Sequence, residues 1–405
     1  MMDFRLATDA DLADVKALWR CSFESDEPYF SWYFQEVYRP EQTLCACAEG
    51  QLLANLQLAP YTAKLRGAPV PCHFFVGVIT QPQLRHTGIG LALMAEGLRF
   101  LNQTHVPFAV LYPLAPAFYR KCGFEHCYEE HIWRLPREAL HSLAADQAPS
   151  YREVDLYDYA AKLPVFNELY LAMMNGQNGF ILRDQHAWKN ILEEHRCDNG
   201  RALLVEDEAG RPSGYVLFTQ EKTIGSTKPQ EGEARLDIRE IAYTSPESRA
   251  AIFHLLAKLD SPTVYWRAPA IESAHLYLPR NSDIRLAPAA MGRVVTVSEA
   301  LAAIAYPPQA MGSVVFRLHD EKAPWNDNTW KLEVQDGRGQ IGPADPRKQE
   351  QAELELDIAS LSALVFGSLS LWQLVKEGRI RGELPALARL DAFFPPTYNY
   401  LGQNT

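Results

Sequence analysis

The chain has 405 residues, 47% of them hydrophobic and 11% aromatic, with a formal net charge of −11. That length predicts two or three domains, each able to bury an ordinary core, and the acidic balance argues against broad nucleic-acid binding while favouring cationic partners. No apolar run reaches the roughly 18 residues that a membrane span needs, and the N-terminus lacks a basic-then-apolar signal pattern. The scattered cysteines, none in a Cys-x-x-Cys pair, read as free thiols in a reducing cytoplasm.

In chain order, Phe4-Arg5-Leu6 reads as a short strand and Ala10 to Phe23 as a helix with Leu12, Val15, Leu18 and Trp19 on one face. Aromatics then crowd Phe23 to Phe34, and Glu24, Asp26 and Glu27 sit in the same loop beside Trp32 and Tyr33. Carboxylates beside aromatic rings suit a cationic amine, although a solvated acidic loop has the same composition. Strands are predicted at Thr43 to Ala48, Leu52 to Leu58 and Phe74 to Ile79. The last runs into Arg85-His86-Thr87-Gly88-Ile89-Gly90, followed by an amphipathic helix with Leu91, Leu93, Met94 and Leu98 at helical spacing.

Glycines at a helix start leave the first backbone N–H groups open to an anion, which the positive end of the helix favours, and Arg85 adds a fixed charge. A dinucleotide fingerprint would need a third glycine where Leu93 stands, and the Gly-Lys-Ser/Thr of a triphosphate loop is absent. Alone, the turn could be a bare helix cap. A strand at Phe108 to Tyr112 leads to a helix bearing Tyr119-Arg120-Lys121-Cys122-Gly123-Phe124, and a last strand is expected at Cys127 to Leu135. This alternation fits an α+β sheet open at its centre.

A linker at 136 to 152 precedes a second unit of similar outline: a helix at Pro164 to Met173, strands at Ala202 to Val205, Gly214 to Thr219 and Arg235 to Ala242, and a helix at Ser248 to Leu259. Its turn, Thr244-Ser245-Pro246-Glu247-Ser248-Arg249, has no glycine, and Glu247 would repel a phosphate. The third unit pairs Val314 to Leu318 with Trp330 to Val334, adds a strand at Ala352 to Ile358, and ends in helices at Ala359 to Phe366, Leu369 to Lys376 and Leu384 to Phe394.

The Arg-x-x-Gly-x-Gly turn followed by Tyr-Arg-Lys-Cys-Gly-Phe resembles the coenzyme A signature of the GNAT N-acetyltransferases. The whole layout is similar to the Eis-type (enhanced intracellular survival) branch, whose third domain resembles sterol carrier proteins. Met291-Gly292-Arg293-Val294-Val295, Leu364-Val365-Phe366-Gly367 and Leu390 to Pro395 also fit. The fold this implies is α+β: tandem GNAT-like mixed sheets with flanking helices plus a small sterol-carrier-like domain. The expected divisions are 1–145 (catalytic), 150–290 (degenerate) and 291–405 (sterol-carrier-like).

Amine acetylation needs a polarised thioester carbonyl, a neutral amine and a proton for the departing thiolate. A free N–H at the bulged strand end near Val78 to Thr80 could bond the carbonyl oxygen. The resemblance implies that Val78, Ile79 and Thr80 line the pantetheine arm of acetyl-CoA, and that Arg85, His86, Gly88, Ile89 and Gly90 cradle its pyrophosphate. Tyr119 is the candidate acid: a phenol, with a pKa of about 10 against about 8.5 for a thiol, is protonated at neutral pH. Its alternative is a core aromatic.

By resemblance the C-terminal carboxylate, here Thr405, is the candidate base, with a frayed tail or a water chain as alternatives. Asp26, Glu27 and Trp32 are the candidate acceptor contacts, and a homo-oligomer, hexameric in Eis-type relatives, is expected. The stretch His126-Cys127-Tyr128-Glu129-Glu130-His131 matches no metal motif, and no metal is expected. The expected activity is acetyl-CoA-dependent transfer to a primary amine of a cationic small molecule, aminoglycoside- or polyamine-like. A non-catalytic coenzyme A- or lipid-binding scaffold is the alternative.

Overall fold

The computed structural model describes residues 2–23, 26–221, 235–280, 282–348 and 350–402. Glu24 and Thr405 lie outside the described residues. The described chain forms three sheets of eight, seven and five strands.

In the first sheet, long antiparallel strands Gln51–Leu65 and Ala68–Thr80 form the centre, flanked by Thr43–Ala48 and Asp3–Leu6. Ala68–Thr80 also pairs in parallel with Phe108–Leu111. The helix Ile89–Gln103 covers one face, burying Leu93, Met94, Leu98 and Leu101 completely, as their spacing predicts. The first predicted helix is shorter than expected, a 3-10 turn at Asp9–Asp11 leading into Leu12–Arg20.

Two strands exchange between units. The strand expected to close the first sheet, Glu129–Pro136, instead lies in the second, between Thr263–Pro269 and Asp283–Pro288. In return Met291–Val294, expected in the third unit, inserts between Phe108–Leu111 and Glu125–His126 of the first sheet. Phe180–Ile181 adds to the edge of Gln51–Leu65. The first two units are therefore interlocked. The alternation of buried Trp133 and Leu135 marks a strand without saying which sheet covers it.

Arg201–Glu206, Pro212–Glu221 and Arg235–Tyr243 of the second sheet follow the prediction, whereas Tyr151–Val154, Thr263–Pro269 and Asp283–Pro288 are strands beyond those expected, and a helix at Gln185–Cys197 packs against the sheet. The third sheet orders Arg338–Pro343, Asn328–Gln335, Gly312–His319, Leu354–Asp357 and Ile380–Gly382. Helix Ile358–Phe366 is buried along its whole length between this sheet and the first.

One buried polar node ties the three units. Asn178 Oδ1 accepts from Arg66 N at 2.6 Å, and its Nδ2 reaches Phe366 O, Thr397 Oγ1 and Asn399 Oδ1 at 2.9, 3.0 and 2.8 Å. Asn399 Nδ2 donates to Cys127 O at 2.7 Å. The Arg66 guanidinium donates to Val365 O, Pro395 O and Leu364 O. The tail then runs beside residues 178 to 181, with Ile181 N donating to Leu401 O at 3.2 Å.

Asn178→Ala should leave several of these buried groups unpaired, at about 1–3 kcal/mol each. The expected result is a lower urea midpoint and a single unfolding transition split in two. An unchanged midpoint would show that the tail is held elsewhere.

Candidate functional site

The central parallel pair bonds only as far as Phe74 opposite Val110. Beyond that point Ala68–Thr80 carries a bulge: Gln57 faces Val76 and Asn55 faces Ile79, so Gly77 and Val78 share the space opposite Leu56. Such a bulge leaves a backbone group unpaired and bends the strand away from its neighbour. Buried Asn55 fixes it by donating to Gly77 O at 3.0 Å. Tyr33 lies nearby, donating to Gln57 Oε1 at 2.7 Å and packed on Trp19.

From Thr80 the chain passes through a 3-10 turn at Pro82–Leu84 into Arg85 and His86, both exposed, then Thr87, whose hydroxyl donates to Leu84 O at 2.6 Å. Gly88 caps the helix with φ +93°, and a Cβ there would meet nothing within 4 Å. The turn thus presents open backbone at a helix start that has no acidic residue in its first turn. That is a fitting cradle for the diphosphate of coenzyme A. Arg85 stands at its edge, 3.3 Å from Ser22 Oγ. Gly90 brings the two motifs together, since a Cβ there would stand 3.3 Å from Phe118 and 3.4 Å from Thr80 Oγ1.

Tyr119 lies on the short helix Pro116–Arg120, 8% exposed, in one apolar cluster with Val78, Ile89, Leu91, Phe118 and Phe124. Burial pushes its hydroxyl up to about 12. Val78, Ile89 and Tyr119, distant in the chain, therefore meet in one cluster, with Gly88 and Gly90 at the start of the helix that Ile89 opens.

The acceptor candidates fare differently. Asp26 and Glu27 are exposed, and Glu27 accepts from Ser31 N at 3.2 Å, serving the start of helix Tyr29–Trp32. The Trp32 indole donates to Glu193 at 3.0 Å, across to helix Gln185–Cys197. Tyr159 also donates to Glu193 at 3.0 Å, and Lys189 bridges to Glu36 at 3.1 Å. Trp32 therefore fastens the two units through its indole N–H.

The sequence reading missed the helix that carries Glu193 and Glu194. Trp188, Ile191, Leu192 and His195 fall on one helical face behind Asp184, which caps the helix through Ala187 N at 2.8 Å. That pattern was the available signal.

On the first sheet the Phe74 ring lies 5.1 Å from Tyr61 and 6.4 Å from Tyr112 between centroids, and Tyr29 lies on the helix Tyr29–Trp32. Burial first, then the negative charge of Glu194, raises the hydroxyls of Tyr29 and Tyr61, the latter to about 12. Arg239 and Arg183 oppose this effect. Tyr112, Glu130, Arg183, Glu240, Tyr400 and Gly402 line a small cavity beside these rings. Arg183 donates to Glu240 at 2.8 Å and to the Gly402 carbonyl, so the tail is buried as far as Gly402.

The second unit keeps the parallel pair and a matching bulge but not the cradle. Its strands Arg235–Tyr243 and Thr263–Pro269 part after Ile238 and Trp266, and Arg239 and Glu240 beyond them are in ion pairs with Glu194 and Arg183. The following helix begins at Pro246, and Ser245 accepts from Ser248 N at 3.2 Å. Glu247 lies in the same first turn. Buried Glu272 accepts from Tyr243 at 2.8 Å and pairs with Arg249. Donors that an anion would use are already satisfied or missing.

Glu130 pairs with Arg267 at 2.7 Å, and His131 lies against the ring of His275. No group of three or more His, Cys, Asp or Glu side chains among the described residues is placed to hold a metal. No helix among them is long and apolar enough to cross a membrane.

Comparison with known proteins agrees with this geometry. Models of the acetyltransferase (GNAT) domain match residues 3–127 and 179–294, and a sterol carrier protein domain matches 297–402. An uncharacterized N-acetyltransferase of Streptomyces avermitilis is 26% identical over 327 residues, 78% of this chain and 76% of that protein. A GCN5-related N-acetyltransferase from Anabaena variabilis superposes with a TM-score of 0.84 at 22% identity, covering 99% of each chain. Eis1 from Mycobacterium abscessus gives 0.76 at 19% identity over 100% of both. The chain is an N-acetyltransferase of the GNAT superfamily, with two GNAT domains and a sterol carrier protein domain in the layout of the Eis-type proteins it resembles.

Proposed function

We propose that the chain transfers the acetyl group of acetyl-CoA to a primary amine of a small cationic molecule by direct attack in a ternary complex. What supports this reading is the parted strand pair, followed by the Gly88 turn, with Tyr119 in the same apolar cluster as Val78 and Ile89. Acetyl-CoA supplies an activated thioester. Main-chain N–H groups at the Gly77–Val78 bulge polarise its carbonyl, and the helix starting at Ile89 holds the diphosphate with Arg85 and His86 alongside. The Tyr119 hydroxyl gives its proton to the departing sulfur.

The acceptor class comes from the Eis-type resemblance, and aromatic faces such as those of Tyr29 and Tyr61 suit a cation. A hexameric homo-oligomer is proposed on the same resemblance.

Thiol release with tobramycin, spermine and lysine tests the activity; no stimulation by any amine would leave a coenzyme A-binding scaffold. Tyr119→Phe should lower kcat by about 100- to 10,000-fold with the KM for acetyl-CoA nearly unchanged. Full retained activity would remove the acid from Tyr119.

The pH profile has a defined sign. The rate should rise with pH as the amine loses its proton, and the fall due to Tyr119 ionisation should wait until near 12. A descending limb beginning at the ordinary phenol value of about 10 would point to a different group.

Gly88→Glu places a side chain at φ +93° and a negative charge in the cradle. It should raise the KM for acetyl-CoA by at least about tenfold, since one unfavourable 1.4 kcal/mol is a factor of ten in binding. An unaltered KM would place the diphosphate elsewhere.

A further inference from the structure

Tyr119 stands on a helix of 5 residues, Pro116–Arg120. A helix this short has little stability of its own, so neighbouring packing must fix its side chains. Two polar clamps do so, and both originate in the third domain.

The first lies just past the helix. Arg293, on the exchanged strand Met291–Val294, is 0% exposed and donates to the Cys122 carbonyl. Its Nη2 also donates to both carboxylate oxygens of Asp320, at 2.8 and 2.7 Å. Asp320, 3% exposed, belongs to the third domain and is itself held by Asn326 Nδ2 at 3.0 Å and Ala323 N at 3.2 Å. The guanidinium occupies the space a side chain would take at Gly123, where a Cβ would stand 1.9 Å from Arg293 Nη1 and 2.6 Å from Ile358 Cγ2. The glycine of the Tyr-Arg-Lys-Cys-Gly-Phe segment is thus required by this clamp as well as by its φ of +76°.

The second grips the residue beside Tyr119. Arg120 donates to Glu125 Oε1 at 3.2 and 3.0 Å. Arg379 of the third domain pairs with the other oxygen at 2.8 Å.

We propose that the sterol carrier domain positions Tyr119 against the parted strands through these clamps, with Arg293, Asp320, Glu125 and Arg379 as positioning residues. The inference rests on the reading of Tyr119 as the proton donor. A donor must lie within hydrogen-bond reach of the sulfur, and a misplacement of about 1 Å can cost about 100-fold in rate. Removing one partner of a buried pair leaves the other charge uncompensated, so each clamp holds a single arrangement.

The test uses the full chain carrying Asp320→Asn or Arg379→Met, each alone and combined with Tyr119→Phe. Hydrogen exchange of backbone amides in residues 116 to 124 should accelerate by about tenfold or more in both single variants. With Tyr119 present, kcat should fall by about tenfold while the KM for acetyl-CoA stays within about twofold, and in the Tyr119→Phe background the same substitutions should lower kcat no further. Unchanged exchange in 116 to 124, or an equal loss of kcat in both backgrounds, overturns the proposal. Full activity of Tyr119→Phe alone overturns the acid assignment instead, and the exchange measurement still judges the clamps. Arg379 is partly exposed, so its variant carries both readouts should Asp320→Asn fail to fold.

Discussion

Two parallel strands that cease to bond to one another are the constraint on which this structure turns. Buried backbone groups must find partners. Past Phe74 and Val110 the chain does not supply them within the sheet. A bulge beside Gly77, pinned by Asn55, keeps the opening in place. A helix start beginning at an uncrowded glycine lies at its end. The opening is therefore a slot lined with main-chain donors, which suits an extended amide-bearing ligand that ends in a diphosphate.

The second unit shows what happens when the same architecture is satisfied internally. It retains the parallel pair and the extra residue in the strand, yet Arg239 and Glu240 are committed to ion pairs and Ser245 bonds its own helix. The contrast between the two units lies in chemistry at the parted ends rather than in the fold. The second unit contributes instead the helix bearing Glu193, which Trp32 of the first unit bonds, and Arg183, which holds the tail at Gly402.

Interlocking of the units brings the third domain against the end of the Tyr119 helix. Met291–Val294 crosses into the first sheet, carrying Arg293 to the end of the Tyr119 helix, while the Asn178 node fastens the tail across all three units. Each of these links buries polar groups, and buried polar groups are costly unless fully paired. Such links consequently tolerate few alternative geometries.

Local chemistry was legible in the amino-acid order. The helix after Gly90 follows from the spacing of Leu93, Met94 and Leu98, and the loss of the cradle in the second unit follows from Ser245-Pro246-Glu247, because both depend on neighbours a few residues apart. What only the tertiary structure decided were partners distant in the chain. The alternation of Trp133 and Leu135 marks Glu129–Pro136 as a strand but is blind to the sheet that receives it, and Met291–Val294, buried at every residue, carries no alternation at all. The bond from the Trp32 indole to Glu193, 161 residues away, is likewise set only by the fold. Nothing near Gly123 in the chain announces that Arg293 fills its side-chain space. Short-range order sets periodicity and caps; pairing between remote segments is fixed by packing of the whole, which no local pattern encodes.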